Sequence, residues 1–152
     1  MEASEIIKSF CAKVGIGFEP DADGTVNLEV DGATVTINDL REISAVALVG
    51  DLGEPPPERL EDLYKTMLEA NHLFGGTAGA TISRDPKTGR FSLCRVLPCV
   101  AIDEDSFYAE VERFVSTLEA WTRIVRDFRD APPADNSPAA MSVGGASGFI
   151  AV

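Results

Sequence analysis

The sequence predicts an α+β fold in which three helices accompany an antiparallel twisted sheet, in the order α-β-β-β-α-β-β-α. Apolar residues recur at helical spacing in three separate stretches, which indicates amphipathic helices. Between them lie shorter stretches in which apolar and polar residues alternate, as in strands with one wet face. Short turn signals join these strands, which favours antiparallel neighbours over parallel crossovers.

The length and composition suit one domain followed by a tail. The chain has 152 residues, of which 45% are hydrophobic, enough for a core of its own. We expect this domain to span residues 1–130. Residues 131–152 are rich in Pro, Ala, Ser and Gly, a composition that predicts a flexible tail.

The first predicted helix covers residues 3–14. Ile6, Ile7 and Phe10 share one face at helical spacing, and Gly15 and Gly17 end the helix.

Three strands are predicted next, most simply as an antiparallel meander. Residues 26–30 and 34–38 alternate in polarity, and Asp31-Gly32 between them is a hairpin signal. Residues 43–49 are apolar on both faces, which is typical of the middle of a sheet. We expect residues 50–57, with their prolines and acids, to form a loop.

The second helix is predicted from Glu58 to about Phe74. The glycines that follow are expected to end it, with a helix cap at Gly75 or Gly76 and a close backbone approach at Gly79.

Two further strands, at about 79–84 and 90–97, precede a long third helix. Asp103 is expected to cap this helix, which runs to about Phe128. Its apolar residues repeat in a heptad-like stripe that predicts a core face. The stripe comprises Phe107, Val111, Phe114, Leu118, Trp121, Val125 and Phe128.

The charge balance argues against a nucleic-acid partner. Lysine and arginine number 13 and aspartate and glutamate 25, so the net charge is −12. A chain this acidic is repelled by phosphate backbones. No apolar run approaches the roughly 20 residues of a membrane-spanning helix. The N-terminus also lacks a basic signal region, so we expect a cytoplasmic protein without membrane insertion.

No motif for catalysis, metal binding or a cofactor is found in the sequence. Phosphate loops need a strand, a glycine turn and then a helix, whereas here a helix precedes the glycines at 75–79. The single histidine, His72, and the three cysteines have no sequence partner for nucleophilic chemistry. A calcium loop beginning at Asp21 would need a glutamate where Gly32 stands. We therefore expect neither an enzyme nor a metalloprotein.

Two stretches resemble the type III secretion chaperones of the Tir-chaperone (CesT-like) family. The first is LEANHLF (residues 68–74) followed by GGTAGATIS (75–83), similar to the family's helix that ends in Ala-Asn before a small-residue turn into a strand. The second is RVLP (95–98) leading to DEDSF (103–107) and the long helix. The resemblance covers about residues 3–128.

The resemblance implies a homodimer that binds the N-terminal segment of a secreted effector in extended form and keeps it soluble and secretion-competent. It implies no catalysis and no cofactor. It places effector contacts on the first helix and the strands, at Ile6, Ile7, Phe10, Val26, Leu28 and Val35. For the apolar face of the first helix, the alternative is packing in the core. For the dimer interface we expect Leu60, Tyr64, Met67 and Ile82. The alternative is a module of the same fold that binds a regulatory or assembly partner.

Overall fold

A computed structural model of the chain describes residues 1–130, so the predicted tail at 131–152 lies outside the described residues. Helices and strands follow the predicted order, and the α+β prediction is confirmed. They are α1 (Ala3–Val14), β1 (Thr25–Val30), β2 (Ala33–Leu40), β3 (Ala45–Gly53), α2 (Leu60–Asn71), β4 (Thr81–Arg84), β5 (Phe91–Pro98) and α3 (Glu104–Asp130).

The five strands form a sheet in the order β1-β2-β3-β5-β4, so β1 and β4 are its edge strands. β1 and β2 pair antiparallel from Thr25 opposite Asn38 to Val30 opposite Ala33. Asp31 and Gly32 between them have φ angles of 51° and 81°. Two left-handed residues are what a tight hairpin turn requires, which confirms the Asp-Gly signal.

The third strand begins later and extends further than predicted. Ile43 belongs to a 3-10 turn and is 65% exposed, and β3 begins at Ala45 after Ser44, whose φ is 50°. At the other end the strand continues to Gly53. The prediction took residues 50–53 for a loop because of their glycines and acid. However, Asp51 is exposed and Leu52 is buried, the alternation of a strand.

The chain divides into two compact units. One comprises Met1–Gly50 and Cys94–Ser116. In its core the rings of Phe10 and Phe107 meet edge to face, with centroids 5.4 Å apart. Within the described residues, the second comprises 51–93 and 117–130. Its largest buried side chain, Trp121, is 1% exposed. Burying each large apolar side chain stabilises the fold by roughly 1.5–3 kcal/mol.

Helix α3 begins and packs as predicted. The backbone N–H of Ser106 donates to Asp103 Oδ1 at 2.8 Å, and the N–H of Asp103 donates to Ser106 Oγ at 2.8 Å. This reciprocal pairing satisfies two backbone donors of the first turn. All seven stripe residues are buried, so the core prediction is confirmed. Within residues 1–130, no helix is both long and apolar enough to cross a membrane.

Candidate functional site

The six predicted effector-binding residues all lie in the first compact unit, and all are buried. Their exposures range from zero at Ile6 and Val35 to 5% at Leu28. α1 contributes three of them, including Phe10, which contacts the rings of Phe107 and Tyr108. Their role in packing is therefore observed, whereas their contact with an effector stays a prediction that requires these side chains to be uncovered.

The four predicted dimer residues differ in exposure. Met67 and Ile82 are buried, at 4% and 6% exposure, and Leu60 is partly covered. Tyr64 is 36% exposed and meets Phe91 edge to face, with ring centroids 5.9 Å apart. Their assignment to an interface stays a prediction.

A group of exposed apolar residues lies at the C-terminal end of α2. Leu68 is 70% exposed, Leu73 84% and Phe74 53%. Together with Tyr64, one helical turn before Leu68, they form a set that we call the α2 apolar surface. In the sequence, Leu68 and Phe74 fall within the predicted amphipathic helix that begins at Glu58. Helical spacing alone could not predict their exposure, because it does not show which helices or strands pack against each residue.

The corner between α2 and β4 differs from its prediction in two respects. α2 ends at Asn71, and Leu73 and Phe74 adopt left-handed φ angles of 51° and 58°. Left-handed backbone costs about 1–2 kcal/mol for each such residue. Gly75 caps the 3-10 turn at His72–Phe74, where its N–H donates to the carbonyl of His72 at 3.1 Å, but its φ of −62° is helical and not left-handed. Gly79 has the left-handed φ, at 87°.

Gly76 is the site of a close backbone approach. A Cβ atom at Gly76 would lie 2.7 Å from the Cβ of Ala70 and 2.9 Å from its Cα, too near for any side chain. The N–H of Gly76 donates to the carbonyl of Ala70 at 2.9 Å. Its carbonyl accepts a buried hydrogen bond of 2.9 Å from the indole N–H of Trp121. These contacts fasten the corner to the core of its unit.

The edge strand β4 is covered by a side chain. Asn71 Oδ1 accepts from the backbone N–H of Ile82 at 2.9 Å, and Asn71 Nδ2 donates to the carbonyl of Ile82 at 3.0 Å. The amide group therefore pairs with Ile82 as a neighbouring strand would. This explains the use of asparagine at the end of α2, since only a donor and an acceptor together satisfy both backbone groups.

The edge strand β1 presents its backbone differently. The carbonyl of Thr25 accepts from the N–H of Asp21 at 3.0 Å, and the N–H of Thr25 donates to Asp21 Oδ1 at 2.9 Å. These groups of Thr25 face away from β2. Because backbone direction alternates with each residue, Asn27 and Glu29 also direct their N–H and C=O groups outward. β1 therefore offers two residues to a further strand.

The histidine and the three cysteines are the side chains that could carry nucleophilic chemistry or bind a metal. His72 is exposed in the turn after α2. All three cysteines are free, and burial raises the pKa of the thiols of Cys11, Cys94 and Cys99. A thiol with a raised pKa stays protonated near neutral pH, in its less reactive form. Among residues 1–130, no group of three or more His, Cys, Asp or Glu side chains could hold a metal ion.

Comparison with solved structures shows the same fold in several complexes, two of which are described as belonging to type III secretion. A chain of the ExsC-ExsE complex matches with a TM-score of 0.67 and 19% identity, covering 82% of this chain and 97% of that one. A chain of the ExoU-SpcU complex from Pseudomonas aeruginosa matches with a TM-score of 0.63 and 22% identity, covering 79% and 95%. The Yersinia pestis chaperone SycH in complex with a YscM2 fragment gives a TM-score of 0.62 and 15% identity, with 78% and 98% covered.

Sequence comparison identifies the family. None of the curated proteins matches this chain. The family model for the Tir chaperone protein (CesT) family matches residues 5–122, a span that contains both stretches on which the resemblance rested. The chain therefore belongs to the Tir chaperone protein (CesT) family.

Proposed function

We propose that this chain is a type III secretion chaperone that binds the N-terminal segment of a secreted effector in extended form. In this role it keeps the segment soluble and secretion-competent in the cytoplasm, without catalysis or a cofactor. The observation that carries the proposal is the family match over residues 5–122. The matching folds from chaperone-effector complexes, such as HopA1-SchA, support it.

The β1 edge supplies a physical route for binding an extended segment. An added strand pairs with the outward backbone groups of Asn27 and Glu29, about 7 Å apart along the strand. Backbone hydrogen bonds of this kind form with segments of many different sequences. The neighbouring side chains of the chaperone then determine which segments bind best. With a net charge of −12, the protein attracts neutral or basic segments more than acidic ones.

The proposed chaperone acts as a homodimer, because ordering a flexible segment costs conformational entropy that a large contact area must offset. A two-fold dimer presents each binding edge twice. The α2 apolar surface is the candidate interface, since it exposes Leu68, Leu73 and Phe74 together. Clustered apolar side chains of this kind mark interaction sites, whereas single exposed ones are common.

The dimer is tested by light scattering on the wild type and on Leu68→Asp. We expect a wild-type mass of twice 16.2 kDa and a Leu68→Asp mass near 16.2 kDa, because a buried unpaired carboxylate opposes association. Ala109→Asp adds the same charge at an exposed position of α3 and should remain dimeric. A wild-type monomer would refute the homodimer, and a dimeric Leu68→Asp would move the interface elsewhere.

The client is tested by affinity purification from the native cytoplasm and mass spectrometry. The expected partner is a protein that type III secretion exports, and deletion of its N-terminal segment should abolish binding. A partner that is never exported would favour the regulatory or assembly module instead. A partner that binds after loss of its N-terminal segment would contradict the proposed mode.

A further inference from the structure

An acidic recess lies beside the start of β1 in the first compact unit. Its volume is about 470 Å³, within the roughly 300–1,000 Å³ of ligand pockets. Three carboxylates and one guanidinium line it, so it carries an excess of negative charge. The lining residues are Asp23, Asp39, Leu40, Arg41, Glu42 and Ile43.

Asp39 is the unusual member of the recess. Its side chain is only 4% exposed, and Oδ2 accepts a 3.0 Å hydrogen bond from Arg41 Nε. Its other oxygen, Oδ1, is buried and has no hydrogen-bond partner within the described residues. A buried carboxylate oxygen without a donor is costly, and native proteins rarely leave one so. The residues that line the recess therefore supply no donor to this atom.

Arg41 does not fill this need. Its side chain is 73% exposed, and the bond from Nε reaches Oδ2 only. Gly24 helps to hold this arrangement, because a Cβ atom there would lie 3.1 Å from Arg41 Nη2 and 3.4 Å from the Cβ of Asp39. Arg41 therefore neutralises one oxygen of Asp39 and leaves the other without a donor.

We propose that this acidic recess binds a lysine or arginine side chain of the extended segment that the protein carries. A basic side chain supplies the donor that Asp39 Oδ1 lacks, and its charge offsets the excess of carboxylates. Its aliphatic stem lies along Leu40 and Ile43, and Ile43 is 65% exposed. Because no three acidic side chains of residues 1–130 group as metal ligands, an organic cation is favoured over a metal ion.

The position of the recess connects it with the β1 edge. Asp23 lies two residues before Thr25, the first residue of β1. Asp39 directly follows Asn38, which pairs with Thr25 at the end of the β1-β2 ladder. A segment that adds to β1 therefore passes the recess at the Thr25 end. This inference rests on the proposed function and specifies which residue type the segment carries there.

The test is an NMR titration of ¹⁵N-labelled full-length protein with N-acetyl-arginine amide, compared with its neutral isostere N-acetyl-citrulline amide. We expect saturable shifts at the backbone amides of Asp23, Asp39 and Ser44 with the arginine compound only. Asp39→Asn should weaken binding at least about tenfold, because it removes a charge-assisted hydrogen bond. Asp31→Asn is the matched control, since it makes the same charge change in the hairpin turn, and should leave the affinity unchanged.

Arg41→Gln provides a second, opposite readout. Removing the guanidinium frees Asp39 Oδ2 and raises the negative potential, so the arginine compound should bind several-fold more tightly. Should Asp39→Asn fail to fold, this variant decides alone. Equal binding of the citrulline compound, an unaffected Asp39→Asn, or unchanged affinity in Arg41→Gln would each overturn the inference. If the protein binds a secreted client but not the arginine compound, the inference about the recess is refuted and the proposed function stands. If it binds the arginine compound but no secreted client, the proposed function is refuted and the recess remains a site for a basic side chain.

Discussion

The two edge strands of the sheet differ in how their outward backbone groups are satisfied. At β4, the side-chain amide of Asn71 binds both the N–H and the C=O of Ile82. At β1, Asp21 binds the groups of Thr25, and those of Asn27 and Glu29 face outward beyond it. An open edge is a template for pairing with another chain, which most proteins avoid. One edge is therefore covered by the chain's own side chain, whereas the other leaves the backbone groups of two residues open, as the proposed strand addition requires.

The largest effect is expected from proline substitutions at neighbouring positions of β1. Leu28→Pro removes an inward N–H from the β1-β2 ladder and a buried side chain, and should destabilise the fold by about 3 kcal/mol or more. Asn27→Pro removes an outward N–H and the exposed hydrogen bond that the Asn27 side chain accepts from Thr36, and should leave the protein folded. It should nevertheless weaken client binding at least about tenfold, since the added strand loses a partner.

Urea denaturation and a client-binding assay measure these two effects. Wild-type client affinity in folded Asn27→Pro would show that the β1 edge is not the binding edge. A well-folded Leu28→Pro would show that the ladder is not arranged as described.

The next effect concerns the corner that presents Asn71 to β4. Gly76→Ala places a methyl group 2.7 Å from the Cβ of Ala70 and should lower the free energy of unfolding by about 2–3 kcal/mol. Gly75→Ala is the matched control. Its nearest atom is 3.5 Å away, and its φ of −62° suits alanine, so a change within about 0.5 kcal/mol is expected. Equal effects of the two variants in urea denaturation would contradict the close approach at Gly76.

Opening the β4 edge should have a smaller effect on stability but a visible effect on association. Asn71→Ala leaves the N–H and C=O of Ile82 without partners, at a cost of about 1–2 kcal/mol. The exposed edge should also promote aggregation, detected by light scattering over time. Asn27→Ala is the control: it loses only the exposed hydrogen bond from Thr36, and should neither lower the stability noticeably nor promote aggregation. If Asn71→Ala is as stable and as soluble as the wild type, Asn71 does not protect the β4 edge, and the two edges do not differ in this respect.

The smallest effect is a pH dependence of the turn that follows β4. Hydrogen bonds from the N–H of Lys87, and next from the hydroxyl of Thr88, hold the pKa of Asp85 below its usual value. A carboxyl with a lowered pKa stabilises the fold above its unfolded pKa of about 3.9 and loses that contribution as the pH falls through its folded pKa. The protection factor of the Lys87 amide, which compares its exchange with the intrinsic rate at the same pH, should therefore fall below about pH 4.

Asp85→Asn is the control for this effect. It cannot titrate, so the protection factor of the Lys87 amide should show no such fall at acid pH. A wild-type protein whose exchange at Lys87 follows the intrinsic pH dependence would show that the Asp85 hydrogen bonds do not stabilise the turn.

Much of the secondary structure of this protein follows from local patterns in its sequence. The helical spacing around Phe10, the Asp31-Gly32 turn, the Asp103 cap and the buried stripe of α3 all follow from residues near each other in sequence. Such features depend on periodicity and backbone preferences that a sequence displays directly. The order of elements, and with it the family resemblance, could therefore be predicted.

Only the tertiary structure decided which faces are covered and which edges are open. An amphipathic pattern shows that residues share a face, but not what packs on it, so Ile6 is buried while Leu68 is exposed. The bond from Trp121 to Gly76 joins residues 45 positions apart, and Asn71 meets Ile82 across 11. Contacts at such separations are set by how the elements pack together, and no local rule of spacing contains that information.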